Sequence, residues 1–206
     1  MAQGTFITLE GGEGAGKSTL SRGLADALTA KGRAVVTTRE PGGAPGADAI
    51  RALLASGEAN RWSALEEALL IAAARANHLS QTVRPALEAG SDVICDRYID
   101  STYAYQVAAG GLSANVLAQL NTLIDAPAPD LTFVLDLDPE AGLGRSRGAV
   151  AGEDRFEKKG AGFHAKVRAA FLDIAAREPQ RCVVLDASKE AHDVLADALK
   201  ALESRL

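Results

Sequence analysis

Short apolar runs alternate along the chain with longer stretches whose apolar positions recur at helical spacing. Thr5-Phe6-Ile7-Thr8-Leu9 predicts a first strand over residues 5–10, and 17–31 a helix closed by Gly32. Residues 33–38 predict a second strand, which Arg39-Glu40-Pro41-Gly42-Gly43 breaks into a loop. A helix follows over 46–56, ended by Gly57. A longer one starts near Ser63, with Glu66 as its capping-box partner. It runs past Arg75 and His78 toward Leu87, with Pro85 as a kink or break, and Gly90 closes it. Residues 91–96 predict a third strand, apolar at its centre as a strand covered on both faces should be. A short helix near 100–107 and a helix capped by Ser113 and running to about Ile124 come next. Then follow a fourth strand at 131–137, a helix from Pro139 to about Arg145, a helix at 162–177, a fifth strand at 181–186 and a last helix at 190–205. Five short apolar strands separated by helices imply an α/β fold: a doubly wound, five-stranded parallel sheet with helices on both faces.

A length of 206 residues with no internal repeat or linker suits one domain over 1–206. The glycine- and charge-rich stretch 145–159 is the mobile lid expected of it, because it has few apolar anchors between two helices. The net charge of −5 argues against a general nucleic-acid binder, so any anion must meet a local basic site. No apolar run approaches the ~20 residues of a membrane span. No secretory signal pattern opens the chain, and a cytoplasmic location is the expectation. Cys95 and Cys182 both fall in strand-like runs and read as buried thiols in a reducing compartment.

Between the first strand and the first helix lies Gly11-Gly12-Glu13-Gly14-Ala15-Gly16-Lys17-Ser18, which fits G-x-x-x-x-G-K-[ST] in the strand–loop–helix context the motif requires. Glycines let the backbone aim successive N–H groups at phosphate, and the helix that begins there adds its positive end. Lys17 reaches toward the β/γ-phosphates and the Ser18 hydroxyl toward Mg²⁺. Ligands of a doubly wound sheet gather beyond the carboxyl ends of the strands. There the second strand offers Arg39-Glu40-Pro41, the third Asp96-Arg97, and the fourth Asp136 and Asp138. Two arginines near one phosphate loop suggest a second anion, as in a kinase whose acceptor is itself phosphorylated. Asp96 closes an apolar strand, as a Mg²⁺-linked carboxylate does, and Asp136 competes for that role. Arg145, Arg147 and Arg155 are lid cations able to meet the transferring phosphoryl group.

Together these residues resemble the thymidylate kinase family, of the bacterial type, over essentially the whole chain. The pieces that carry the likeness are Leu9–Thr19, Thr38-Arg39-Glu40-Pro41-Gly42-Gly43, Ala74-Arg75, Asp96-Arg97-Tyr98, Ser101-Thr102, Tyr105-Gln106, Pro129–Thr132, Leu135–Leu137 and Asp154-Arg155-Phe156-Glu157. The resemblance implies a nucleoside monophosphate kinase-like fold, ATP-dependent phosphorylation of dTMP to dTDP with Mg²⁺, and a homodimer. By the same likeness Arg39 and Arg97 hold the dTMP phosphate, and Arg75 and Thr102 meet the base. Tyr105 packs under the deoxyribose and disfavours a 2′-hydroxyl, while Ser101 and Gln106 line the pocket. Glu13 meets the 3′-hydroxyl side of the sugar, and the Glu40–Pro41 bond falls where the family carries a cis peptide. The loop residues Gly11 to Thr19 take the ATP phosphates, with Arg155 a further phosphate contact. The phosphate loop has no arginine of its own, so Arg147 or Arg145 supplies the catalytic cation. Ile71 stands one turn before Arg75 where relatives often carry Phe, and Ala149 where they often carry a third lid arginine. Ile71 lacks an aromatic stacking contribution of roughly 1–3 kcal/mol, which implies weaker dTMP binding or compensation by another apolar side chain.

Two other readings are open on the residues alone. One is a kinase for another nucleoside monophosphate, or for a deoxynucleoside, on the same fold. The other is a nucleotide-dependent binding switch, although the Asn-Lys-x-Asp element of a GTP reader is missing after the fifth strand, which ends Asp186-Ala187-Ser188-Lys189.

Overall fold

A computed structural model describes residues 4–146, 155–156 and 158–205. Its five strands, β1 (Phe6–Gly11), β2 (Val35–Arg39), β3 (Asp92–Asp96), β4 (Leu131–Asp136) and β5 (Cys182–Asp186), form one sheet in the order β2-β3-β1-β4-β5. Every neighbouring pair is parallel. Each parallel crossover must return the chain to the same end of the sheet, and helices occupy both faces. α1 (Lys17–Ala30) and α9 (Ala191–Glu203) cover one face, packing Leu20, Leu24, Leu28, Val194, Ala198 and Leu202 on Ile7, Leu9, Phe133 and Leu135. The strand positions between these point the other way. Phe6, Val93 and Cys95 meet Leu79, Val83 and Leu87, and Val134 meets Val167, Phe171 and Ile174 of α8 (Ala161–Arg177). Both cysteines are buried free thiols.

Among the described residues, six further helices connect the strands. They are α2 (Pro45–Ala55), α3 (Ala64–His78), α4 (Arg84–Glu88), α5 (Ile99–Thr102), α6 (Ala114–Leu123) and α7 (Pro139–Ser146). The Ser63–Glu66 capping box is present in both directions, at 3.3 and 2.7 Å, whereas Ser113 opens α6 without a side-chain cap bond. The long helix does not continue as an α-helix through to Pro85. The chain widens into a π-helical turn at Leu79–Val83 and re-enters the α-helix as α4, with Pro85 in its first turn. There the missing N–H leaves no intrahelical bond unmade. The short helix expected near 100–107 is likewise two pieces, α5 and a π-helical turn at Tyr103–Ala108. That widened turn buries Ala104, Tyr105 and Gln106 in succession.

Candidate active site

The phosphate loop joins β1 to α1. Gly16, in a left-handed conformation at φ 93°, is the N-cap of α1. Gly14, at φ 65°, lies so close to α7 that a Cβ there would stand 2.0 Å from the Gly142 carbonyl oxygen. Lys17 is buried, and its Nζ donates to the carbonyls of Gly12 at 2.8 Å and Gly11 at 3.2 Å. Burial and the nearby Arg97 push its pKa down. The Ser18 hydroxyl donates to Asp96 Oδ2 at 3.0 Å, which ties the loop to the end of β3. Asp136, the competing carboxylate, is instead held by Arg168 at 2.7 and 3.1 Å. Of the two carboxylates, Asp96 and not Asp136 is the one that meets Ser18.

Beside the loop lies a cavity of about 140 Å³. Its walls include Glu13, Pro41, Ile71, Arg75, Arg97, Ser101, Thr102, Tyr105 and Gln106, nine positions singled out in the sequence. Glu40, Arg51, Leu54, Ala55, Tyr98 and Phe156 complete it. Arg39 stands apart from these, in an adjoining open cleft with Ser18, Thr38, Asp48 and Asp96, so the two arginines flank the end of β3 from different sides.

Arg97 joins loop and cavity. It adopts φ 70°, an uncommon left-handed conformation for a non-glycine residue. Its guanidinium donates to Gly11 O at 3.1 Å, Ser101 Oγ at 3.2 Å and Glu13 Oε1 at 2.9 Å, and lies 5.0 Å from the Tyr105 ring centre. The Tyr105 hydroxyl donates to the same Glu13 oxygen at 2.9 Å. Burial pushes the Glu13 carboxyl up, but Arg97, Lys17 and the Tyr105 hydroxyl outweigh it and hold its pKa down at about 2. Beneath this layer Glu10 is fully buried. It accepts from the backbone N–H of Tyr98 and Ser101 and from Ser101 Oγ, which fixes the start of α5. Burial and neighbouring Asp100 push it up to about 7.

A second buried network holds Arg75, which is 1% exposed. Its Nε donates to Glu40 Oε2 at 2.7 Å and its Nη2 to Thr102 Oγ1 at 2.9 Å. Glu40 also accepts from His78 Nδ1 at 3.0 Å, and His78 Nε2 meets Thr38 Oγ1 at 2.7 Å. The Glu40–Pro41 peptide is cis, and the Pro41 carbonyl accepts from Arg51 Nη1 at 3.0 Å. Gly43 is required beside this network, because a Cβ there would lie 2.2 Å from Thr38 Oγ1.

The lid expectations fare differently. Arg147 and Ala149 lie outside the described residues. Arg145 lies in the last turn of α7 and donates to the Ala187 carbonyl at 3.1 Å, beside the end of β5. Arg155 was expected on the ATP phosphates, and the structure places it among other partners. It is fully buried, and its guanidinium donates to Glu67 and to the carbonyls of Leu54 and Glu58. An arginine with its donors engaged by α2, the loop after it and α3 anchors the start of the 155–159 segment. Glu40, Arg51, Glu67 and Phe156 had not been read as functional. Two of them carried a sequence signal, Glu40 by its place between Arg39 and Pro41 and Phe156 by its place in the Asp154-Arg155-Phe156-Glu157 run.

A phosphate loop, an arginine-lined cavity beside it and a parallel sheet in the order 2-3-1-4-5 define a nucleoside monophosphate kinase-like enzyme of the phosphate-loop class. The thymidylate kinase family profile matches residues 9–198. The chain is 51% identical over 207 residues to a thymidylate kinase of Caulobacter vibrioides, covering 100% of this chain and 99% of that one. It is 48% identical to one from Rhizorhabdus wittichii, covering 98% and 99%. The crystal structure of thymidylate kinase from Ehrlichia chaffeensis superposes with a TM-score of 0.79 at 33% identity, covering 97% of this chain and 99% of that chain. The chain belongs to the thymidylate kinase family.

Proposed function

We propose that the protein transfers the γ-phosphate of ATP to dTMP, giving ADP and dTDP for deoxynucleotide synthesis. The observation that carries this is Arg97, whose guanidinium spans Glu13 of the phosphate loop and Ser101 at the wall of the adjacent cavity. Phosphoryl transfer needs donor and acceptor phosphates held in line with cations on the charge that develops. Arg97 at this junction, with Arg39 in the adjoining cleft, is suited to bring an acceptor phosphate to the loop. Glu13, ionised at neutral pH, offers an acceptor to the sugar 3′-hydroxyl, and Tyr105 closes the adjacent 2′ side. Arg75 and Thr102 present buried donors to the pyrimidine edge.

The donor set also fits Mg²⁺. A hydroxyl and a carboxylate, Ser18 and Asp96, are hard oxygen ligands beside the phosphate loop, of the kind that hold this ion together with substrate phosphates. The ion would neutralise charge on the β- and γ-oxygens. Arg147 is assigned the transition-state cation, with Arg145 next. Exposed Leu65 and Leu69 on α3, together with Leu123 of α6, support a homodimer through those helices, which sedimentation tests. The cytoplasm, which supplies ATP and keeps Cys95 and Cys182 reduced, is the proposed location, and cell fractionation tests it.

The decisive assay is coupled ADP release with dTMP, dUMP, dGMP, CMP and thymidine at equal concentration. Preferred turnover of dTMP is expected. Turnover of thymidine alone would replace the monophosphate reading with a deoxynucleoside kinase, and nucleotide binding without acceptor-stimulated turnover would indicate a switch.

A further inference from the structure

Four acceptor-cavity residues are apolar side chains able to cover a flat ring: Leu54, Ala55, Ile71 and Phe156. Only Phe156 among these is aromatic. Each aromatic ring of the wall has a cation over it, Phe156 included, with the Arg155 guanidinium 5.0 Å and Lys159 Nζ 5.4 Å from its centre. Tyr98 lies under the Arg75 guanidinium at 4.9 Å, and Tyr105 under that of Arg97 at 5.0 Å. Phe156 meets Tyr105 edge to face, with ring centres 5.8 Å apart and planes at 87°. It sits between two residues that are fastened to the body of the protein. On one side Arg155 is tied to Glu67 and to carbonyls of α2 and the following loop. On the other, Lys159 Nζ reaches the same Glu67 at 3.4 Å. Glu67 is itself 1% exposed, and its second oxygen accepts from Gln106 of the cavity wall at 2.7 Å.

We propose that Phe156 is the aromatic wall of the acceptor-base site, and that the Arg155–Glu67 ion pair is the clasp that seats it there. The inference rests on dTMP being the acceptor. A pyrimidine whose polar edge meets Arg75 and Thr102 leaves its faces to apolar side chains. Ile71 supplies an aliphatic surface, and Phe156 the aromatic one missing from α3. Arg155 is thus a positioning residue that acts through its neighbour. This gives its buried charge a purpose within the acceptor site rather than the donor site.

The test is calorimetric titration of dTMP into wild type, Phe156→Leu, Phe156→Tyr, Arg155→Met and the Phe156→Leu/Arg155→Met double variant. Mg–ADP, titrated in parallel, probes the donor site, and steady-state kinetics separate KM for dTMP from KM for ATP. Phe156→Leu is expected to weaken dTMP binding roughly tenfold, the scale of a lost base–aromatic stack, while Mg–ADP binding is unmoved. Phe156→Tyr, which keeps the ring, retains most of the affinity. Arg155→Met weakens dTMP binding too, but adds less than about twofold once Phe156 is Leu, because coupled residues are not additive. A dTMP affinity for Phe156→Leu within about twofold of wild type overturns the wall. An Arg155→Met loss that adds in full on the Leu background overturns the clasp. The Leu and Tyr variants decide the wall even where the Met variant does not fold. Wild type that binds no dTMP overturns the acceptor assignment itself, a result distinct from either.

Discussion

Removing the Glu40 carboxylate tests whether the buried Arg75 network is the frame of the acceptor site. The two side chains are 3% and 1% exposed, so neither charge has water to fall back on. Glu40→Ala leaves the Arg75 guanidinium buried without its anion and His78 Nδ1 without its partner. Breaking a buried pair by removing one member costs about 3–5 kcal/mol. In a domain of this length each kcal/mol lowers Tm by about 2–4 °C, so a fall of roughly 6–20 °C is expected. Glu40→Gln keeps an acceptor oxygen but loses the charge, and falls in between. The Glu40→Ala/Arg75→Met double variant removes both charges and recovers most of the stability, because the penalty lies in the orphaned cation. It does not recover dTMP binding. Thermal unfolding paired with KM for dTMP reads both effects. A Glu40→Ala protein within about 1 kcal/mol of wild type, or a double variant no more stable than Glu40→Ala, would refute the reasoning.

Lys17→Ala removes most turnover while the fold persists, since among the described residues the buried Nζ bonds to loop carbonyls; turnover and circular dichroism check the two halves. Arg147→Ala lowers kcat more than it raises KM for dTMP, and an unchanged kcat transfers the role to Arg145, whose Ala variant is measured beside it. Stability should depend on pH through Glu13, whose folded pKa of about 2 lies below its usual 4.5. A depressed carboxyl stabilises above pH 4.5 and loses that contribution as pH falls toward 2. The stability gap between wild type and Glu13→Gln should then be at most about 3 kcal/mol at pH 7, and less than half of that at pH 3. Urea titrations at the two pH values check it, and a gap that does not narrow would count against the Arg97–Glu13 pairing.

The sheet was legible in the sequence because parallel strands buried on both faces read as uninterrupted apolar runs, and the glycine loop and prolines punctuate them. The acceptor cavity was legible wherever a residue belonged to a dense local run. Glu13 lies inside the phosphate loop, Arg97 directly follows β3, and Thr102 ends α5 just before the widened turn that carries Tyr105 and Gln106. What escaped was partnership across long separations. Arg155 and Glu67 lie 88 residues apart, and Arg75 and Glu40 lie 35 apart. Nothing in residue order says which carboxylate an arginine will find. Arg155 illustrates the consequence. As a cation in a glycine-rich, charged segment it read as a ligand for phosphate, because that is where an exposed arginine would be attracted. Burial reverses the inference. A guanidinium without water needs its donors satisfied at once, and a carboxylate plus main-chain carbonyls do so permanently. An arginine committed in that way is not available to arrive with a closing lid. The catalytic cation is therefore sought where the sequence already put it, at Arg145 or Arg147, while the anchor fixes where the aromatic ring beside it must stand.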